Sequence, residues 1–176
     1  MTLLARVVSA LDGQGVRCAL IGATAMAVHG ISRATLDFDL LSTDRRCLDR
    51  SWWADVKQPG LVIDVRVGAA DDPLAGVARF EAVHERAVDV LVGREPWQQR
   101  LIDRGALFAI EDTRVRVAAV SDLVLLKLYA GGPQDAWDVH QLLAAEGRAE
   151  LVATVDRGLA ELPEECFALW RRILAG

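Results

Sequence analysis

The sequence predicts a mixed α/β core followed by a helical lobe. Short apolar runs bounded by glycine or turn residues mark buried strands, Leu36-Asp37-Phe38-Asp39-Leu40 alternates with period two, and the spacing becomes helical beyond Ser121. A chain of 176 residues is long enough to bury a hydrophobic centre without disulfides or a structural metal. The change of pattern divides it into a core, residues 1–120, and a C-terminal helical lobe, residues 121–176, packed on that core.

The elements follow in order. Leu3, Leu4, Val7, Val8 and Leu11 have the spacing of an amphipathic helix that stops at Gly13-Gln14-Gly15. Residues 16–21 read as a buried strand closing on Gly22, and residues 23–29 as a short helix broken by Gly30. The alternating run 36–40 is a strand with both aspartates on one face and its apolar residues on the other. Strands are also expected at 61–67 and 87–92, separated by the turn-rich Asp71-Asp72-Pro73, and a hairpin at 107–110 and 114–120 around Glu111-Asp112-Thr113. Ser121 is a candidate N-cap for the apolar run 123–130, Gly131-Gly132 stops that helix, and Pro133 opens the next. A last helical pair, 149–162 and 164–174, meets at Pro163.

Composition narrows the function classes. A hydrophobic fraction of 52% with 26% charged residues is that of a folded globular chain. The net charge of −5 argues against broad adsorption to nucleic acid. Cys18, Cys47 and Cys166 are too widely spaced for a zinc or redox pair and read as buried thiols. The N-terminal stretch lacks the basic start and continuous apolar run of a signal peptide, and no run is long enough to span a bilayer, so a cytoplasmic protein without membrane association is expected.

Chemistry concentrates around Asp37 and Asp39. Carboxylates at i and i+2 of a strand point the same way and repel unless something positive sits between them. Magnesium suits such a pair, because it binds through one or two carboxylates plus waters and phosphates. The same alternation also suits the solvent face of an edge strand. Close by, Ile21-Gly22 leads into a helix whose first amides, at Ala23 and Thr24, are placed to meet a phosphate. Arg33 and Thr35 lie on the approach to Asp37 and offer charged and hydroxyl contacts to the same group, although Arg33 alone also reads as a loop charge. A third carboxylate has two candidates, Asp64 and Asp89. Asp64 shares its face with Arg66, a local neutralising partner, whereas Asp89 shares its face with Ala87 and Leu91 and meets no cation on its own strand.

Lys127 interrupts a strongly apolar helix. Either its stem lies on the core while the ammonium reaches water, or the ammonium meets a buried anion such as a phosphate. Asp135 either orients Lys127 or sits at its helix start as a favourable dipole charge. His29 and Trp137 read as packing residues.

The stretch Ile21-Gly22-Ala23-Thr24-Ala25-Met26-Ala27-Val28-His29-Gly30-Ile31-Ser32-Arg33-Ala34-Thr35-Leu36-Asp37-Phe38-Asp39-Leu40-Leu41 resembles the signature of the DNA polymerase beta-like nucleotidyltransferase superfamily, and within it the small bacterial branch that includes AbiEii-type toxins. That pattern is a glycine and a small residue at a strand–helix turn, then Arg-x-Thr-x-Asp-x-Asp, a later carboxylate and a downstream lysine helix. Leu125-Leu126-Lys127-Leu128-Tyr129-Ala130-Gly131-Gly132-Pro133-Gln134-Asp135 resembles the downstream segment, so the likeness covers residues 16–143. Ala23 departs from the glycine or serine common there and offers no hydroxyl, for which Thr24 can compensate.

The resemblance implies a minimal nucleotidyltransferase fold and transfer of a nucleoside monophosphate from a nucleoside triphosphate to an acceptor hydroxyl. Asp37 and Asp39 would hold two magnesium (or manganese) ions, and Asp89, favoured over Asp64 by the family order, would complete the metal site and activate the acceptor. Gly22, Ala23, Thr24, Arg33, Thr35 and Lys127 would bind the nucleotide, with Asp135 behind them. The acceptor would be a transfer RNA, a protein or a small molecule, in a toxin–antitoxin or phage-defence setting with a cognate partner. The rival reading is a catalytically inactive member of the fold that binds nucleotide or protein, as an antitoxin-like partner does.

Overall fold

The computed structural model describes residues 1–31, 35, 37–144 and 147–176. Helix α1 (Leu3–Gly13) buries Leu3, Leu4, Val7, Val8 and Leu11, and the Thr2 side chain caps it by accepting from the Ala5 amide at 3.3 Å. Strand β1 (Ala19–Ile21) is shorter than the expected run 16–21. The reason lies in the preceding turn. Gly15, at φ 69°, reverses the chain so that the Val16 amide donates to the Leu11 carbonyl at 2.9 Å, and this segment closes α1 before the chain reaches the sheet.

Helix α2 (Gly22–Val28) and strand β2 (Asp37–Ser42) follow, then two 3₁₀ segments, Arg45–Leu48 and Arg50–Val56, and strand β3 (Val62–Val67). The sequence reading placed only a turn between β3 and the strand at 87–92. The structure has a further strand there, β4 (Leu74–Glu81), antiparallel both to β3 and to β5 (Ala87–Gly93). Asp71-Asp72-Pro73 is the connection into β4. Its apolar alternation is blurred by Arg79 and by Gly76, where a Cβ would stand 2.3 Å from the Arg66 carbonyl oxygen, so only glycine permits that approach of the neighbouring strand.

Helix α3 (Pro96–Arg104), also not anticipated, leads into the hairpin of β6 (Ala106–Ile110) and β7 (Thr113–Val117). Among the described residues the seven strands form one sheet in the order β3-β4-β5-β2-β1-β7-β6. β2 runs parallel to β5 and β1 parallel to β7; the other pairs are antiparallel. One face of the sheet supplies Phe38, Leu40, Val88, Val90 and Phe80 to the core, which also takes in the apolar side of α1. Trp53 packs edge-on to Phe80 at 4.7 Å and donates its indole N–H to the Cys47 carbonyl.

Four helices complete the chain: α4 (Val120–Ala130), α5 (Pro133–Leu143), α6 (Arg148–Leu159) and α7 (Glu164–Ala175). α4 is apolar on nearly all sides because α5, α6 and α7 pack around it. Its N-cap is Ala119 and not the expected Ser121, which lies inside the first turn; Asp122 beside it is buried and held by Arg104. Gly131, at φ 69°, ends α4. The three cysteines are buried free thiols. Trp137, expected to pack, is half exposed on α5. No helix among the described residues is long and apolar enough to cross a membrane.

Candidate functional site

Parallel pairing of β2 with β5 sets Asp39 directly opposite Asp89, so Asp37, Asp39 and Asp89 share one face of adjacent strands. The next strand supplies a residue that sequence reasoning missed. Arg79 of β4 lies opposite Asp89, with Nη1 2.7 Å from Asp89 Oδ2 and both Nη1 and Nη2 3.3 Å from Asp37 Oδ2, while its Nε donates to Glu81. The expectation that Asp89 meets no cation on its own strand is correct for β5; the cation arrives from across the ladder. Asp64 also registers with Arg79, from the far side, and is exposed in its ion pair with Arg66 at 2.8 Å.

Arg79 does not reach every oxygen. Asp89 Oδ1 is buried and has no hydrogen-bond partner among the described residues. Burial and the charges of Asp89 and Asp37 push the Asp39 carboxyl up to about 6, against the opposing pull of Lys127 and Arg79. Burial raises the Asp89 carboxyl as well, with Arg79 working the other way. Burial first, and the neighbouring carboxylates after it, thus disfavour the ionised form of Asp39.

Gly22 forms the facing wall. Its φ is +66°, and a Cβ there would stand 2.2 Å from Asp39 Oδ2, so both the turn and the close approach of the carboxylate require glycine. Ala23 is buried behind it. The Thr24 and Thr35 hydroxyls donate to the Asp37 carbonyl at 3.4 and 3.2 Å, and the Asp37 amide donates back to Thr35 Oγ1. A second missed arginine, Arg86, donates from Nη2 to Thr24 Oγ1 and to the same carbonyl, with its guanidinium 3.8 Å above the Phe38 ring. Thr24, Thr35 and Arg86 thus fix where β2 begins and hold Asp37 in place. Arg33 lies outside the described residues.

Lys127 reaches the same place from α4. Its Nζ is 2.8 Å from Asp135 Oδ1 and 2.7 Å from Asp138 Oδ2, and Asp135 also accepts from the Gly132 amide. Asp135 thus contacts Lys127 and also lies in the first turn of α5. Asp138, fully buried, was not singled out, although its i+3 spacing from Asp135 puts both on one face of α5. A cavity of about 270 Å³ lies between the sheet and α4, with Asp39 and Gly22 on one side and Lys127 and Asp135 on the other. His29 sits apart from these groups, its ring nitrogen 2.8 Å from the Ala118 carbonyl oxygen.

No protein-family model matches the chain, and no curated protein matches it. Solved structures do. The antibiotic-resistance factor ANT(2'')-Ia aligns with a TM-score of 0.52 at 14% identity over 90% of each chain. The same factor in complex with adenylyl-2''-tobramycin aligns with a TM-score of 0.52 at 14% identity, over 86% of this chain and 92% of that one. An antigenic nucleotidyltransferase-like protein from Paracoccidioides brasiliensis aligns with a TM-score of 0.51 at 15% identity, over 94% of this chain and 90% of that one. The chain has the nucleotidyltransferase fold.

Within this nucleotidyltransferase fold the carboxylate cluster can be tested for a divalent cation. Among the described residues no three Asp, Glu, His or Cys side chains converge as a ready-made cage. Magnesium does not need one, since one or two carboxylates and the oxygens of water and phosphate complete its shell. The unpartnered Asp89 Oδ1 and the crowding of the Asp37, Asp39 and Asp89 carboxylates on one face are what a hard cation would satisfy. The residues fit such an ion, with Arg79 as its internal competitor.

Proposed function

We propose that this protein moves a nucleoside monophosphate from a nucleoside triphosphate to an acceptor hydroxyl. The observation that carries the reading is the in-register pair Asp39 and Asp89, with Asp37 beside them, facing the Gly22 turn. Asp37, Asp39 and Asp89 would hold magnesium or manganese, which when bound neutralises phosphate charge and polarises the reacting phosphoryl group. Gly22, Ala23 and Thr24 offer backbone amides to the phosphates at the start of α2, and Arg33 and Lys127 add positive charge. Asp89 takes the acceptor's proton. The freed oxygen forms a bond to the α-phosphorus, the bridging bond to the β-phosphate breaks, and pyrophosphate leaves. The acceptor classes of this reading are a transfer-RNA end, a protein and a small molecule; a cognate toxin–antitoxin partner is a separate part of the proposal and rests on the resemblance to the AbiEii-type branch.

Calorimetric titration with each nucleoside triphosphate checks the reading. Affinity should fall at least about tenfold, roughly 1.4 kcal/mol, on chelation of the metal and again in Asp37→Asn. Equal binding with and without metal would remove the basis for it.

Arg79 favours a second reading, a non-catalytic nucleotide- or protein-binding partner, because its guanidinium already bridges Asp37 and Asp89. Arg79→Gln separates the two. If Arg79 only competes with a cation, the metal-free variant melts lower than wild type, since the carboxylates lose their shared counter-charge, and manganese raises its melting temperature more than it raises that of wild type. No response to manganese in either protein would favour the binding partner.

A further inference from the structure

The cavity beside Asp39 is apolar where an acceptor would lie. Its floor is Ile21, Leu41 and Leu91 of the sheet, and its roof includes Leu123 and Leu126 of α4. Gln98 of α3 also lines it and is almost fully buried. The side chain fits there because Gly93 has no Cβ: one would stand 2.2 Å from Gln98 Oε1. That oxygen accepts from the Glu95 amide at 2.9 Å, which fixes the orientation of the side-chain amide. Gln98 Nε2 is buried and, among the described residues, has no hydrogen-bond partner, and Gln98 is one of the residues that line this apolar chamber.

Resting on the nucleotidyl-transfer reading above, we propose that the acceptor is a compact, uncharged, mostly apolar alcohol. Its body fills this cavity, an oxygen accepts from Gln98 Nε2, and its reacting hydroxyl lies toward Asp39 and Asp89. Three features select this class. A volume of about 270 Å³ falls just below the ~300–1,000 Å³ of drug-sized pockets. Of the two acids that line the cavity, Asp135 is held by Lys127, so Asp39 alone would face the several ammonium groups of an aminoglycoside, the rest of which would meet leucine and isoleucine. A nucleobase would bring several polar edges against a floor and roof built of Ile21, Leu41, Leu91, Leu123 and Leu126. The transfer itself is unchanged: the alcohol oxygen loses its proton to Asp89, bonds to the α-phosphorus, and displaces pyrophosphate.

The test uses the full chain with phenethyl alcohol and hexanol as probes, titrated calorimetrically with and without magnesium and nucleoside triphosphate, and tobramycin as the polar comparison. Both alcohols should bind wild type and tobramycin should not. Leu126→Trp, which fills the chamber, should weaken alcohol binding by at least about tenfold while nucleotide affinity holds. Gln98→Met keeps most of the volume and deletes the donor together with the oxygen that accepts from the Glu95 amide, so its melting temperature is measured beside its binding; it should weaken alcohol binding by about five- to tenfold, as one neutral hydrogen bond does, and it reports independently should Leu126→Trp fold poorly. Parallel loss of nucleotide affinity in Leu126→Trp would give the chamber to the nucleoside and overturn the proposal, as would tobramycin binding in place of the alcohols. Absence of nucleotide binding to wild type overturns the transfer reading itself, whereas absence of alcohol binding to a protein that binds nucleotide overturns the acceptor assignment alone.

Discussion

Asp89→Asn is expected to lower nucleotidyl transfer by about 10²–10⁴-fold, the contribution of a positioned general base, while leaving nucleotide binding largely intact. Asparagine keeps the shape of the side chain at its place opposite Asp39 and Arg79, but it cannot take a proton from the acceptor. Asparagine also keeps only one oxygen, which Arg79 would hold at the place of Oδ2, so an NH2 group would stand where the buried Oδ1 has no hydrogen-bond partner among the described residues. Asp64→Asn is the control. Asp64 sits in an exposed pair with Arg66, worth about 0–1 kcal/mol, and Arg79 stands between it and Asp89 in the strand register. Its loss should leave transfer and melting temperature nearly unchanged. Pyrophosphate release under single-turnover conditions, with binding measured separately, distinguishes the two variants. A reversal, with Asp64→Asn inactive and Asp89→Asn mild, would show that the reacting groups lie at β3.

Lys127→Met is expected to have the largest effect on stability. The ammonium lies 2.8 Å from Asp135 and 2.7 Å from Asp138, and the Asp138 side chain is fully buried. Methionine preserves the apolar stem but removes a cation shared by two carboxylates. Breaking a buried pair from one side costs on the order of 3 kcal/mol, a drop of roughly 6–12 °C in melting temperature for a chain of this size. A double-mutant cycle with Asp138→Asn should return a coupling of about 0.5–3 kcal/mol; additive effects would show that the two groups do not act together. Nucleotide titration below the variant's melting temperature addresses the second role. If Lys127 also meets the phosphates, affinity falls about tenfold or more, the loss of a charge-assisted contact. A lowered melting temperature with unchanged affinity would make Lys127 a clamp between α4 and α5.

The legible parts of the site were those written in local periodicity. Alternation puts Asp37 and Asp39 on one face whatever the strand pairs with, and Ile21-Gly22 marks a strand-to-helix turn because glycine takes a positive φ at little cost. Gly131 and Pro133 set the break between α4 and α5 for similarly local reasons, and a lysine inside an apolar helix stands out without any structure. Boundaries were less legible. Val16 was assigned to β1, but its amide closes α1, a choice made by one hydrogen bond to Leu11.

What the sequence alone could not supply was the identity of each residue's neighbour across the sheet. β4 was missed because Gly76 and Arg79 blur its apolar rhythm, and with it went the guanidinium that bridges Asp37 and Asp89. The same holds for Arg86 behind Asp37, for Asp138 under Lys127, and for Gln98 folded over Gly93. Each of these contacts joins segments far apart in the chain or depends on how two elements pack. By itself the sequence determined which carboxylates share a face, where the glycine turn falls, and which helix carries the lone interior lysine. Only the tertiary structure decided that Asp39 meets Asp89, that an arginine stands against them, and that an apolar chamber opens beside them. Side-chain direction follows from backbone period, which is local, whereas strand partner and register are fixed by long-range burial.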